Sequence, residues 1–369
     1  MSPRAATRLT LALGALALLG ASCAVQPSRA EETEFFPIAP LAAPATTTST
    51  PPTTTTPPTT APPTPQPTAP PEPVRQTLVV HGTGDVNLDP GFVRTFPSEG
   101  YDYAWSGLDG LFLHDGLSVV NLECSAGPGT RAWDKTWIFA CDPDSYPAAA
   151  AAGVDIVNQA NNHGADFGIA AMLDGSNLLG EAGLIPVGAG ENAVAAYAPA
   201  VVDVDGWTIA VFGATAVGPE NGSWAAGEDR AGVAAATNLE AMTAAIAEAD
   251  AIADLVLITV HWGEEGDRAP RRWVRNLAEA YIDAGADGIF GHHTHRLGPL
   301  EWYRGRPIAW TLGNFVWQAF PAAATTTAIA EFVYEPDGRI GACLVPVVIE
   351  RTGHPVVQDT TGPCAPPGL

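Results

Sequence analysis

The stretch that decides the reading is Gly291-His292-His293-Thr294-His295. It follows the apolar run Gly288-Ile289-Phe290 and precedes Pro299-Leu300-Glu301-Trp302, which reads as a strand. Three imidazoles therefore stand where a buried strand gives way to a loop. A neutral imidazole is an ordinary ligand for first-row metals, and a His-x-His pair can send two rings to neighbouring ions. The bland alternative is a solvated polar turn. The rest of the chain weighs against it, because five of the eight histidines fall into three local motifs.

Upstream, the apolar runs Thr77–Val80, Leu117–Leu122, Val154–Val157, Thr208–Phe212 and Leu255–Val260 have the length and composition of buried strands. Helical patterns at Gly168–Ala182, Asn238–Ala249 and Arg271–Ala284 separate several of them. Ile308–Trp310, Ala328–Tyr334 and Ile340–Ile349 read as strands without intervening helices. The mixture predicts an α/β body with more than one sheet.

Chemistry-bearing residues cluster just after those strands, where open α/β folds place their ligands. Gly82-Thr83-Gly84-Asp85-Val86-Asn87 reads as a tight turn presenting Asp85, or as a simple turn aspartate. Glu123 closes the second strand. Asn158-Gln159-Ala160-Asn161-Asn162-His163 follows the third, and its amides must be satisfied if buried. There Asn162 can offer an oxygen, His163 has the titration range of a general acid, and Asp166 can orient that ring. Asp166 can equally cap the following helix. His261-Trp262-Gly263-Glu264-Glu265 follows the Leu255–Val260 run. The combined oxygen and nitrogen set suits Mn, Fe or Zn in a one- or two-ion site better than Ca or Mg.

The flanks of the body say where the chain works. Arg4 and Arg8 precede the apolar run Leu9–Leu19, which is too short for a stable membrane anchor and reads as an export signal over residues 1–23. It ends in Leu19-Gly20-Ala21-Ser22-Cys23, similar to a lipobox with Cys23 as the lipidated residue, although Gly20 stands where Leu is usual. A membrane-anchored lipoprotein is the expectation; full secretion is the alternative. Residues 24–74 are dominated by Pro and Thr and lack the apolar area to offset ordering entropy, so they read as a disordered tether. At roughly 3.1 Å per residue it could reach about 150 Å. The body, residues 75–369, is long enough for one large core.

A formal charge of −23 with a single lysine, Lys135, argues against nucleic acid or an anionic lipid surface as partner. Beyond Cys23, four cysteines remain in an exported chain, which points to two disulfides. Proximity in sequence favours Cys124–Cys141 and Cys343–Cys364 among the three possible pairings.

Gly84-Asp85, Asn121-Leu122-Glu123, Ala160-Asn161-Asn162-His163 with Asp166 and Gly168, His261-Trp262-Gly263 with Glu265, Gly291-x-His293-x-His295 and Leu312-Gly313-Asn314-Phe315 occur in that order. The set resembles the bacterial CapA family of capsule-synthesis proteins linked to poly-γ-glutamate, over about Thr77–Cys343. That family is in turn similar to calcineurin-like metallophosphoesterases, which implies a sandwich of two β-sheets flanked by helices. Carried over residue by residue, the resemblance makes Glu123 the bridging carboxylate. Asn162, His261 and His293 complete one metal, and Asp85 and His295 hold the other. His163 becomes the acid, oriented by Asp166, with Asn87, Glu265 and Asn314 supporting the ligands from behind.

Four departures stand out. Asn87 replaces the histidine of an Asp-x-His motif, Glu123 replaces a bridging Asp, Gly266 replaces a common Tyr, and Thr294 replaces the usual Pro. The resemblance implies a metal-dependent hydrolase acting on a phosphoester or an anionic envelope polymer, working with capsule-synthesis membrane proteins. The competing expectation is a non-catalytic polymer-binding component of the same system.

Overall fold

The computed structural model describes residues 74–218, 223–319 and 322–358. The signal, Cys23, the tether up to residue 73 and Cys364 lie outside the described residues.

In chain order the strands are β1 (Leu78–Val86), β2 (Leu117–Leu122), β3 (Ile156–Asn158), β4 (Ile185–Val187), β5 (Ala189–Gly190), β6 (Ala200–Val204), β7 (Trp207–Thr215) and β8 (Gly232–Val233). They continue with β9 (Leu255–His261), β10 (Gly288–His292), β11 (Leu300–Tyr303), β12 (Arg306–Ala309), β13 (Thr326–Tyr334), β14 (Ile340–Arg351) and β15 (His354–Val357). One sheet has the order β15-β14-β13-β1-β2-β3-β4 and the other β11-β12-β10-β9-β7-β6, while β5 and β8 pair separately. β1, β2, β3 and β4 run parallel, as do β7, β9, β10 and β12.

The strands that read as uninterrupted apolar runs are the ones covered on both faces. Leu78, Val80, Leu117, Val119 and Phe332 of the first sheet meet Ile209, Val211, Leu257 and Phe290 of the second in a shared core. Phe290 stacks on Phe332 with ring centroids 4.4 Å apart, a pairing worth about 0.5–1.5 kcal/mol beyond its buried area. The outer face of the second sheet is covered by the helices Leu239–Asp250 and Arg272–Asp283, through Met242, Ile246, Val274 and Tyr281. The outer face of the first carries short helical turns and the Tyr146–Ala151 helix, through Trp105, Phe112 and Tyr146. The architecture is the α/β sandwich of two sheets flanked by helices that the sequence predicts.

Gly82 and Gly84 do not form the expected turn. Both lie inside β1, and close approach explains them: a Cβ on Gly82 would fall 2.2 Å from the Phe290 ring, and one on Gly84 2.2 Å from the Gly313 carbonyl oxygen. These contacts bring β1 against β10 and the Leu312–Phe315 segment, so the carboxyl ends of both sheets converge.

Candidate metal centre

Asp85 lies near the end of β1, Glu123 one residue past β2, and Asn162 four residues past β3. His261 ends β9, and His293 and His295 follow β10. β9 and β10 are in register at His261 and His292. Beyond them the chain turns sharply, with φ of 89° at His293 and 55° at His295. Non-glycine residues held at positive φ carry strain of order 1–3 kcal/mol and concentrate at functional sites. The turn is tied down at Thr294, whose hydroxyl stands 2.8 Å from that of Thr311, which donates to the Arg296 carbonyl at 3.0 Å. Here a hydroxyl does the bracing that the usual proline would do by ring geometry.

Two groups of ligand atoms result, Glu123 with His261 and His293, and Asp85 with Glu123 and His295; within each group the atoms lie within 4.8 Å of one another. Glu123 belongs to both. Asn162 Oδ1 stands 2.6 Å from His261 Nε2, which is itself 3.5 Å from Glu123 Oε1. His295 Nδ1 is 3.2 Å from Asp85 Oδ2. The structure thus brings all six residues singled out as ligands to one place.

The electrostatics show what this place lacks. Both carboxylate oxygens of Glu123 are buried without a hydrogen-bond partner, as are Nδ1 of His292 and His293. Burial, with Asp85 alongside, pushes the Glu123 carboxyl well above its usual range. Burial would raise Asp85 too, but the contact with His295 and the neighbouring imidazoles outweigh it and hold Asp85 low. Burial presses His292 and His293 down to about 4, and presses His261 well below the ordinary value with the adjacent imidazoles adding to it. Neutral imidazoles with free lone pairs around a bare buried carboxylate are a ligand set prepared for a cation. The donor set therefore fits a divalent metal.

Residues behind the ligands hold them in place. Asn121 Nδ2 donates to Asp85 Oδ1 at 2.9 Å and lies 3.2 Å from His261 Nδ1, while its Oδ1 accepts from Asn158 Nδ2 at 3.0 Å. His292 points into the sheet, its Nε2 2.9 Å from the Thr259 hydroxyl. Asn87 is bound to the backbone on both sides of its amide. Its Oδ1 accepts from the Asp89 N–H at 2.9 Å, and its amide group faces the Glu123 carbonyl at 3.4 Å. Asn314 donates to the Ala324 carbonyl at 3.0 Å and leaves its own Oδ1 unpartnered. Glu265 lies at the exposed rim of a pocket it shares with His295 and Asn314.

Beside this cluster, His163 Nδ1 is 2.7 Å from Asp166 Oδ2, which also accepts from the Phe139 N–H at 2.8 Å. Asp166 does not cap the Ile169–Glu181 helix; the cap position is Gly168, with no side-chain bond. Burial draws the His163 imidazole below the usual histidine value, against the pull of Asp166. Lys135, singled out in the sequence only as the sole lysine, completes the group. Its Nζ lies 2.6 Å from Asp166 Oδ1 and 3.2 Å from His163 Nδ1, and donates to the Asn162 carbonyl at 2.5 Å. No local motif marks Lys135, which arrives from a long loop. Cys124, next to Glu123, is disulfide-bonded to Cys141 with their Cα atoms 5.3 Å apart, closing that loop. Cys343 lies in β14, and its expected partner Cys364 is outside the described residues.

Known proteins share this arrangement of sequence. The profile of the family described as "Bacterial capsule synthesis protein PGA_cap" matches residues 79–319, which span every residue of the centre. The chain is 36% identical over 281 residues to the "PGA biosynthesis protein CapA" of Bacillus subtilis, covering 75% of this chain and 73% of that protein. It is 32% identical over 226 residues to the "Capsule biosynthesis protein CapA" of Bacillus anthracis, covering 59% of this chain and 53% of that one. A "probable polyglutamine synthesis accessory protein" of Mycobacterium tuberculosis is 32% identical over 211 residues, covering 54% of this chain and 55% of its own. A match over most of the body, at this identity, places the chain in the bacterial capsule synthesis protein family PGA_cap.

Proposed function

We propose that this chain is an exported, surface-tethered protein that makes or processes an anionic envelope polymer of the poly-γ-glutamate kind, and that it does so as a metal-dependent hydrolase. The observation that carries the reading is the shared, partnerless Glu123 between two groups of ligand atoms. Glu123, Asn162, His261 and His293 would hold one divalent ion; Asp85, His295 and the shared Glu123 would hold a second. Mn, Fe and Zn all match this donor chemistry. When bound, the ions supply Lewis acidity and water activation to an ester or amide hydrolysis. The chain's own residues do the rest. Asp166 fixes the His163 ring through Nδ1, so a proton is held or moved at Nε2. Lys135 keeps Asp166 in place and balances its charge.

A second reading, a polymer-binding component without turnover, is favoured by the departures from the metallophosphoesterase pattern at Asn87 and Glu123. On either reading the export signal and a lipid on Cys23 would place the body outside the cytoplasm. Among the described residues no helix is long and apolar enough to cross a membrane. Partner proteins would then be membrane components of the same polymer-making system.

Metal analysis of the purified protein, followed by phosphoesterase and γ-glutamyl hydrolase assays with manganese, tests the proposal. One tightly held ion and one lost on dialysis are expected, since the second has fewer private ligands. His261→Ala should abolish the tight ion and Asp85→Ala chiefly the loose one. His163→Ala should keep the metal and lose hydrolysis. A native protein that binds no metal overturns the reading. Full metal binding without turnover on any of these substrates leaves the polymer-binding alternative.

A further inference from the structure

A pocket of about 320 Å³ opens beside His295, lined by Glu265, Arg296, Asn314, Trp317 and two alanines, Ala323 and Ala324. That is room for a small ligand, not for a polymer segment of several residues. Besides His295, its charged lining is of two kinds. Arg296 is the cation; it donates to the His295 carbonyl at 2.7 Å and has no carboxylate within ion-pair distance among the described residues. Glu265 is the anion, exposed at the rim and without an ion pair among the described residues. Asn314 is 2% exposed and lies beneath them, its Oδ1 buried out of reach of a pocket ligand. Trp317, tilted by 36° against the His295 ring with centroids 4.8 Å apart, and the alanines make the apolar wall.

A simple phosphoester would use only Arg296. It would bring like charge towards Glu265 and leave that carboxylate without a counter-charge. A ligand with an ammonium and a carboxylate on one carbon uses both charges. We infer that this pocket binds an α-amino acid head group, with Arg296 taking the carboxylate and Glu265 taking the ammonium. Charge-assisted hydrogen bonds of both signs make such recognition selective. The source is either a free amino acid or the amino-terminal residue of a γ-linked chain, where both groups are unblocked. This rests on the proposed polymer-processing role only for the chemistry at the neighbouring metal centre; the head-group pocket stands on its own lining.

The test is calorimetric, with the manganese-loaded full-length chain and four probes: glutamate, N-acetylglutamate, glutamate α-amide and the γ-linked glutamate dimer. Glutamate should bind at least tenfold more tightly than either blocked form. Arg296→Gln should erase discrimination against the α-amide alone, and Glu265→Gln discrimination against the N-acetyl form alone. A merely structural role for either residue would not split the two preferences. Tighter binding of the dimer identifies a chain terminus, and equal or weaker binding a free amino acid. Equal affinity for all probes, or no glutamate binding by a protein that holds its metal, overturns the inference. Metal content measured on the same samples separates that outcome from failure of the metal centre itself.

Discussion

Strand β1 carries two buried polar centres four residues apart, and they are solved in opposite ways. At His81, one imidazole sits between two carboxylates, Nδ1 2.7 Å from Asp115 Oδ2 and Nε2 3.2 Å from Glu331 Oε2. Both ring nitrogens are engaged, and the ring itself is 2% exposed. At Asp85 the proportions reverse. Two carboxylates face four imidazoles, yet the Glu123 carboxylate has no hydrogen bond and imidazole nitrogens stand idle. The same residue types at the same depth make a closed structural cluster in one case and an open coordination site in the other. Composition does not separate them; what separates them is whether the protein finishes its own hydrogen bonds.

The largest effect should come from breaking the closed centre. His81→Ala leaves Asp115 and Glu331 facing each other across a buried gap, which typically costs about 3–5 kcal/mol. Urea unfolding should show this with metal content unchanged, and a loss below about 1 kcal/mol would mean that the triad is not self-supporting. The open centre should respond with the opposite sign. In metal-free protein, Glu123→Met replaces a buried carboxyl group that has no partner by an apolar side chain of similar size, and should raise stability by about 1–3 kcal/mol while abolishing metal binding. A drop in stability of the metal-free variant would show that Glu123 is already satisfied.

The smallest effect is in pH. Burial lowers His81, but Asp115 and Glu331 more than offset it, and the ring is held above the ordinary 6.5 of a histidine. The native state therefore keeps a proton that the unfolded chain has released. This contribution to stability is fully present below pH 6.5 and is lost as pH rises through the folded value, with a slope of at most about 1.4 kcal/mol per pH unit. Asp115 is raised by burial, against the pull of His81, and so weakens with rising pH in the same direction. The stability gap between wild type and His81→Gln in metal-free protein should accordingly narrow from pH 6 to 9. A gap that widens would place the proton elsewhere.

The two centres were not equally legible. The ligands could be read because each follows an apolar run that ends abruptly in a polar residue, as Glu123 follows Leu117–Leu122 and His261 follows Leu255–Val260. His81, Asp115 and Glu331 lie 34 and 250 positions apart and carry no local signature. Pairing across sheet neighbours creates them. Lys135 was opaque for a related reason, since its partners come from another segment. The short edge strands β4 and β6 escaped notice because the faces they bury are small, with only Val187 of β4 fully covered. Gly82 and Gly84 read as turn formers because sequence shows the missing side chain but not the neighbour that forbids it.

The Cys124–Cys141 bond spans a sequence separation of 17. One end is the neighbour of Glu123, and the loop between carries Lys135. Closing a loop of about this length removes roughly 3 kcal/mol of freedom from the unfolded chain, on the order of a hundredfold in the folding equilibrium. Seen from the dyad of His163 and Asp166, the bond raises the local concentration of a single ammonium group. In a chain with only one lysine, no other could take its place. Reduction would cut that tie without touching any ligand, leaving Lys135 held to the dyad by its contacts with Asp166 and the Asn162 carbonyl alone.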